Sequence, residues 1–133
     1  MGESPRQFLN CGVIWNSVIL VPHSHNDPGW LKTYESYFHY HSRNILNNMA
    51  EKLKALPNMT FIWSEISFFA QWWESAHPNK KHTVRKLLDE GRLEITTGGW
   101  VMTDEATTHL YGMLDQLIEG FLRFPSDHCR NRS

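Results

Sequence analysis

No stretch of this 133-residue chain approaches the roughly 18 consecutive apolar residues of a membrane-crossing helix, so no membrane segment is read from it. The amino terminus, Met1-Gly2-Glu3-Ser4-Pro5-Arg6, lacks the basic region and apolar stretch of a secretion signal. Arg6 also stands where a myristoylated start needs Ser or Thr. Neither sign of charge dominates, and a net charge of -1 leaves no footprint for nucleic acid. Cysteine is scarce: Cys11 and Cys129 lie near opposite ends and are expected to stay unpaired, so no disulfide framework is read. There is no internal repeat. Taken literally, these absences predict a soluble intracellular protein.

What is present fits one domain with a real core, since 41% hydrophobic and 20% charged residues are ordinary for a globular protein. Val18 to Pro22 is a β-branched apolar run ended by proline and reads as a buried strand. From Thr33 to about Leu56, Tyr37, Ile45, Met49 and Leu53 recur at helical spacing, and Pro57-Asn58 stops the helix. Met59 to Ser64 reads as a second buried strand, and Ile66 to Ser75 as a helix broken by His77-Pro78-Asn79. Another helix runs from about Lys80 to Asp89, with Gly91 as its cap. Leu93 to Thr97 is a third strand. After the turn Gly98-Gly99, Thr107 or Thr108 caps a last helix with Leu110, Leu114, Leu117 and Phe121 on one side. Short strands joined by helices predict an α/β fold of parallel strands with helical crossovers. The segment from Phe124 to Ser133 reads as an unstructured tail.

Two segments carry chemistry. The first, His23-Ser24-His25-Asn26-Asp27-Pro28-Gly29-Trp30, follows the first strand, at the end where α/β proteins bind ligands. On an extended backbone His25 and Asp27 point to one side. They offer either a zinc-type ligand pair or merely a hydrogen-bonded histidine and a turn-capping acid. The second, Gly98-Gly99-Trp100-Val101-Met102-Thr103-Asp104-Glu105-Ala106, follows the third strand. Asp104 and Glu105 either complement a helix N-terminus or complete a site, because parallel strands would open both loops on one face. Glu65, at the end of the second strand, suits a supporting role behind that face, as does His23. His39, His41, His77, His82, His109 and His128 read as surface residues. Asn58-Met59-Thr60 and Asn131-Arg132-Ser133 fit the acceptor pattern for N-glycosylation.

With Phe61-Ile62-Trp63-Ser64-Glu65-Ile66-Ser67 added to these two, the chain resembles the glycoside hydrolase family 38 α-mannosidases. Asn26-Asp27-Pro28-Gly29-Trp30 and Leu114-Asp115-Gln116-Leu117-Ile118-Glu119-Gly120 are similar to the Golgi α-mannosidase II branch. The resemblance spans residues 18–123 and leaves 1–17 and 124–133 unmatched. It implies the opening part of a larger, seven-stranded-type glycoside hydrolase α/β barrel. By the same resemblance His25, Asp27 and Asp104 bind one zinc ion, Asp104 is also the catalytic nucleophile, and Trp30 packs on the sugar. The implied substrate is a mannose-containing N-glycan and the implied location the Golgi. Thr103 departs from the family's usual Pro or Asn. The family's fourth zinc ligand, a histidine, and its general acid have no counterpart here, so the chain is expected to be a fragment with little catalysis alone. Two other readings stay open: a metal-dependent amidohydrolase using His23 and His25, and a non-catalytic truncated product.

Overall fold

The computed structural model describes residues 19–124. Cys11, Val18, Cys129 and the Asn131 triplet, and the tail beyond Phe124, lie outside them. Helix α1 spans Tyr34–Tyr37 and runs through a π-helical turn, Phe38–Ser42, into α2, Arg43–Ala55. Strand β1 is Phe61–Trp63, α3 is Ile66–Ser75 and α4 is Pro78–Asp89. Strand β2, Leu93–Ile95, and helix α5, Leu110–Arg123, complete the order. Among the described residues no helix is long and apolar enough to cross a membrane.

β1 and β2 pair in parallel, Phe61 with Leu93 and Trp63 with Ile95, so the α3–α4 connection is a helical crossover. The predicted first strand is only begun. Pro22 and Ser24 exchange backbone hydrogen bonds with Ile62, at 3.0 and 2.9 Å, around a parallel His23–Ile62 bridge. It is not buried: Ile19 and Leu20 are 83% and 87% exposed, because no described element packs on them. An apolar run marks a surface that can be covered, and here the cover is not among these residues.

The core lies between α2, α3, α4 and the sheet. Trp63, Phe68, Phe69 and Trp72 fill it against Leu46, Leu53, Val84, Leu87 and Leu93, all essentially inaccessible to water. Helix α3 buries nearly its whole circumference, which explains its continuous apolar composition. The break expected at His77-Pro78-Asn79 is present, since α3 ends at Ser75, and Pro78 opens α4, where a first-turn residue needs no N–H partner. His77 caps that helix by accepting from Asn79 N–H. Gly91 does end it, at a φ of +67°.

One helical face differs from expectation, and another is left bare. In α2 the buried face is Leu46, Met49, Ala50 and Leu53, while Ile45 turns to solvent, because that face is centred on Leu46 and Leu53 and Ile45 stands about 90° round the helix from it. In α5 the stripe Leu110, Leu114, Leu117 and Phe121 is exposed. That helix docks instead through buried Gly120 and half-buried Gln116, which permit a closer backbone approach than leucines would.

Tyr34 ties the first helix to α3. Its hydroxyl donates to the Ser67 carbonyl at 2.9 Å, and its ring stacks on Phe68 with centroids 4.9 Å apart. Burial, helped by the charges of Glu35 and Glu74, pushes its pKa up to about 12. The proton is therefore held more tightly in the folded state. The associated stability is fully present below the ordinary tyrosine value of about 10 and is lost as pH rises through about 12. Tyr34→Phe should cost about 1 kcal/mol near neutral pH, measured by urea unfolding. In an absorbance titration it should remove the tyrosine step near pH 12.

Candidate metal and catalytic centre

The site starts from a buried carboxylate. Glu65, fully inaccessible, precedes α3 and accepts from the Ser24 hydroxyl at 2.6 Å and from Asn26 N–H at 2.9 Å. The Ser24 hydroxyl oxygen in turn accepts from Ser64 N–H at 2.9 Å. The indole N–H of Trp63 donates to the Glu65 carbonyl at 2.7 Å. The segment between His23 and Asp27 is thereby fastened from behind, and His25 and Asp27 project from it on the open side, each side chain about half exposed. The turn beyond them needs Gly29, at a φ of +104°, and sets Trp30 out at 73% exposure.

The second half of the site hangs from β2. Thr97 takes a φ of +57°, a strained position for a β-branched residue, and with Gly98 it turns the chain out of the strand. The carbonyls of Gly99 and Trp100 accept the first N–H groups of α3, from Ile66 and Ser67, both at 3.1 Å. These are orphan donors that a helix start must satisfy. From the other side Gln116 of α5 accepts from Trp100 N–H through its carbonyl, at 2.8 Å, and from Val101 N–H through its side chain, at 3.1 Å. Gly120 lies so close that a Cβ there would collide with the Gly98 carbonyl.

The two halves meet at Asp104. One carboxylate oxygen accepts from Ala106 N–H at 2.9 Å, and the other lies 3.0 Å from His25 Nε2. His25 Nε2 is also 3.6 Å from Asp27 Oδ1. The hydrogen bond from Ala106, reinforced by His25, outweighs partial burial and holds the Asp104 carboxyl below its usual range. One ligand atom from each of His25, Asp27 and Asp104 lies within 4.8 Å of the others, a grouping with the chemistry and spacing to hold a metal ion. They open on a cleft of about 450 Å³, walled by Trp30, Val101, Met102 and Glu105. Glu65, by contrast, has its carboxyl pushed above the usual range by burial, against the pull of its hydrogen bonds.

His25, Asp27, Asp104 and Trp30 thus share one cleft, with Glu65 behind it. His23 stands apart: its Nδ1 lies 2.8 Å from the Ser24 carbonyl, and it lines a different depression with Thr96 and Thr103. Among the other described histidines all are exposed, and His77 and His109 serve as helix caps. Sequence reasoning missed Ser24 and Gln116. A small polar residue between two histidines and an amide inside a leucine stripe were the available signals.

The glycosyl hydrolases family 38 N-terminal domain, as a family model, matches residues 16–132. "Alpha-mannosidase 2" of Spodoptera frugiperda is 65% identical over 103 residues. The proteins of that name in Rattus norvegicus and Homo sapiens are 58% and 55% identical over 103 residues. Each alignment covers 77% of this chain and 9% of the relative, so the chain spans about a tenth of the length of the curated relatives it matches.

At an ordinary helix position Gly→Ala gains roughly 0.5–1 kcal/mol. At Gly120 the added methyl would sit 2.7 Å from Gly99 C and Trp100 N, so the sign reverses. Gly120→Ala should lose about 1–3 kcal/mol, seen as a lower urea midpoint with faster exchange of the Trp100 and Val101 amides. Glu65 carries a raised pKa, so its contribution is fully present below the ordinary glutamate value of about 4.3 and declines as pH rises through its folded value. The stability of Glu65→Gln relative to the native chain should therefore improve between about pH 4 and pH 7, whereas Glu65→Ala should be less stable at both.

Proposed function

The chain belongs to glycosyl hydrolase family 38, and from that premise we propose that its cleft is the zinc-binding and nucleophile half of a retaining α-mannosidase site. Convergence of His25, Asp27 and Asp104 from two strand ends carries this reading. One imidazole and two carboxylates form a donor set suited to zinc. Their separations of 3.0 and 3.6 Å straddle the roughly 3.4 Å between ligands bound tetrahedrally at about 2.1 Å. When bound, the ion supplies a Lewis-acidic centre that grips sugar hydroxyls.

The chain's own residues divide the remaining work. Asp104, kept ionised by Ala106 and His25, attacks the anomeric carbon. The bond to the leaving oxygen breaks as a mannosyl ester of Asp104 forms. Water then cleaves that ester with net retention of configuration. Trp30, exposed at the rim, offers a flat apolar surface to a sugar face. Glu65 holds the His25–Asp27 backbone in register. The fourth ligand, a histidine, and the general acid that protonates the leaving group have no place among the described residues of this cluster.

In this reading residues 18–123 are the opening portion of the catalytic domain, within a larger α/β barrel. The exposed apolar stripe of α5 and the bare segment before His23 are then surfaces for other parts of that barrel. The relatives are named for α-mannosidase, which supports a mannose-containing substrate; N-glycans as the substrate class and the Golgi as location rest on the resemblance of residues 26–30 and 114–120 to the Golgi branch. The amidohydrolase reading has no such support, since His23 lies outside the ligand group.

The isolated chain should bind zinc weakly and turn over an aryl α-mannoside little, if at all. Equilibrium dialysis should show zinc lost in Asp27→Ala and kept in His23→Ala, and the opposite pattern would revive the His23 reading. Robust turnover abolished by Asp104→Asn would overturn the division of the site into separate halves.

A further inference from the structure

One sequence motif remains outside the mannosidase reading. Asn58-Met59-Thr60 sits between α2 and β1, with Asn58 and Thr60 exposed. Met59 N–H donates to the Leu56 carbonyl at 3.0 Å, closing a β-turn with Pro57 and Asn58 at its centre, positions where these residue types are at home. Arg92 braces that turn, its guanidinium donating to the carbonyls of Leu53, Leu56 and Met59. β1 begins at Phe61, immediately after the triplet, so Asn58 lies at the end where the parallel strands start. The cleft of His25 and Asp104 is fed by the loops that leave their other end.

We propose that Asn58 is an acceptor for an N-linked oligosaccharide. The pattern supplies the amide and the hydroxyl two residues on. The braced turn presents the amide outward, and the position keeps a bulky sugar clear of the cleft. The donor class is a polyisoprenyl-diphosphate-linked oligosaccharide, delivered by the transferase of the secretory lumen. The Asn58 amide nitrogen forms a bond to the anomeric carbon and loses one proton. The bond from that carbon to the diphosphate oxygen breaks, and the diphosphate leaves with the electron pair. Occupancy in nature rests on the Golgi reading above; competence as an acceptor does not.

The full chain, secreted from cultured eukaryotic cells behind an added cleavable signal, tests this. A gel shift removed by peptide-N-glycosidase is expected, with a deamidated residue 58 found by mass spectrometry after release. The shift should vanish in Asn58→Gln and Thr60→Ala but persist in Thr60→Ser and Asn131→Gln. No shift, or a shift lost only in Asn131→Gln, would overturn the proposal. The intact protein that carries this segment, isolated from cells of its own source, tests location separately. A glycan on the secreted form but not on the natural one would sink the Golgi reading and leave the acceptor standing.

Discussion

The Glu65 carboxylate, buried without access to water, is the constraint on which this site depends. A carboxyl group in such a place is costly unless its oxygens are met by donors. Here the donors come from the Ser24 side chain and the Asn26 backbone, forty-one and thirty-nine residues earlier in the chain. The requirement to satisfy one buried acid therefore fixes the backbone on both sides of His25. Because the acid also precedes α3, the histidine loop and the central helix share one foundation.

The same helix start organises the second loop. The N–H groups of Ile66 and Ser67 need acceptors, and the carbonyls of Gly99 and Trp100 supply them. α5 then closes over that loop through Gln116 and Gly120. Asp104 and His25 come from segments seventy-nine residues apart and meet at 3.0 Å because both segments are seated on the beginning of α3. In the proposed enzyme this seating does the work of preorganisation, holding the nucleophile before any substrate arrives. Strain at Thr97 is tolerated where the loop is held from two sides.

Much of this was legible in the residues. Helix α3 was expected with the boundaries it has, since its unbroken apolar composition and the His77-Pro78 stop mark both ends. Two strand ends on one sheet face left room for His25, Asp27 and Asp104 to group, and the resemblance to family 38 implied that they do. What escaped had physical causes. Periodicity says which side of α5 is apolar, not whether a partner covers it, and α5 docks through Gly120 with that side bare. Regular helical spacing cannot register a π-helical turn, so Tyr37 and the α2 residues were read as one stripe; Ile45, four residues before Met49, was placed on it and the small Ala50 was overlooked. Long-range hydrogen bonds such as that of Ser24 leave no periodic trace at all.

That π-helical turn, Phe38–Ser42, has a further meaning for how the sequence can vary. A π-helical turn accommodates one residue more than a regular helix would, and each residue turns a helix by about 100°. Removing a single residue there would leave an unbroken helix, yet it would swing Tyr34 away from Ser67 or Leu46 and Leu53 out of the core. The extra residue acts as a gear between two facings, one set by the site end and one by the core. Substitutions within Phe38–Ser42 can be absorbed by side-chain adjustment. Changes of length within it cannot, so this stretch should vary in letter but not in count.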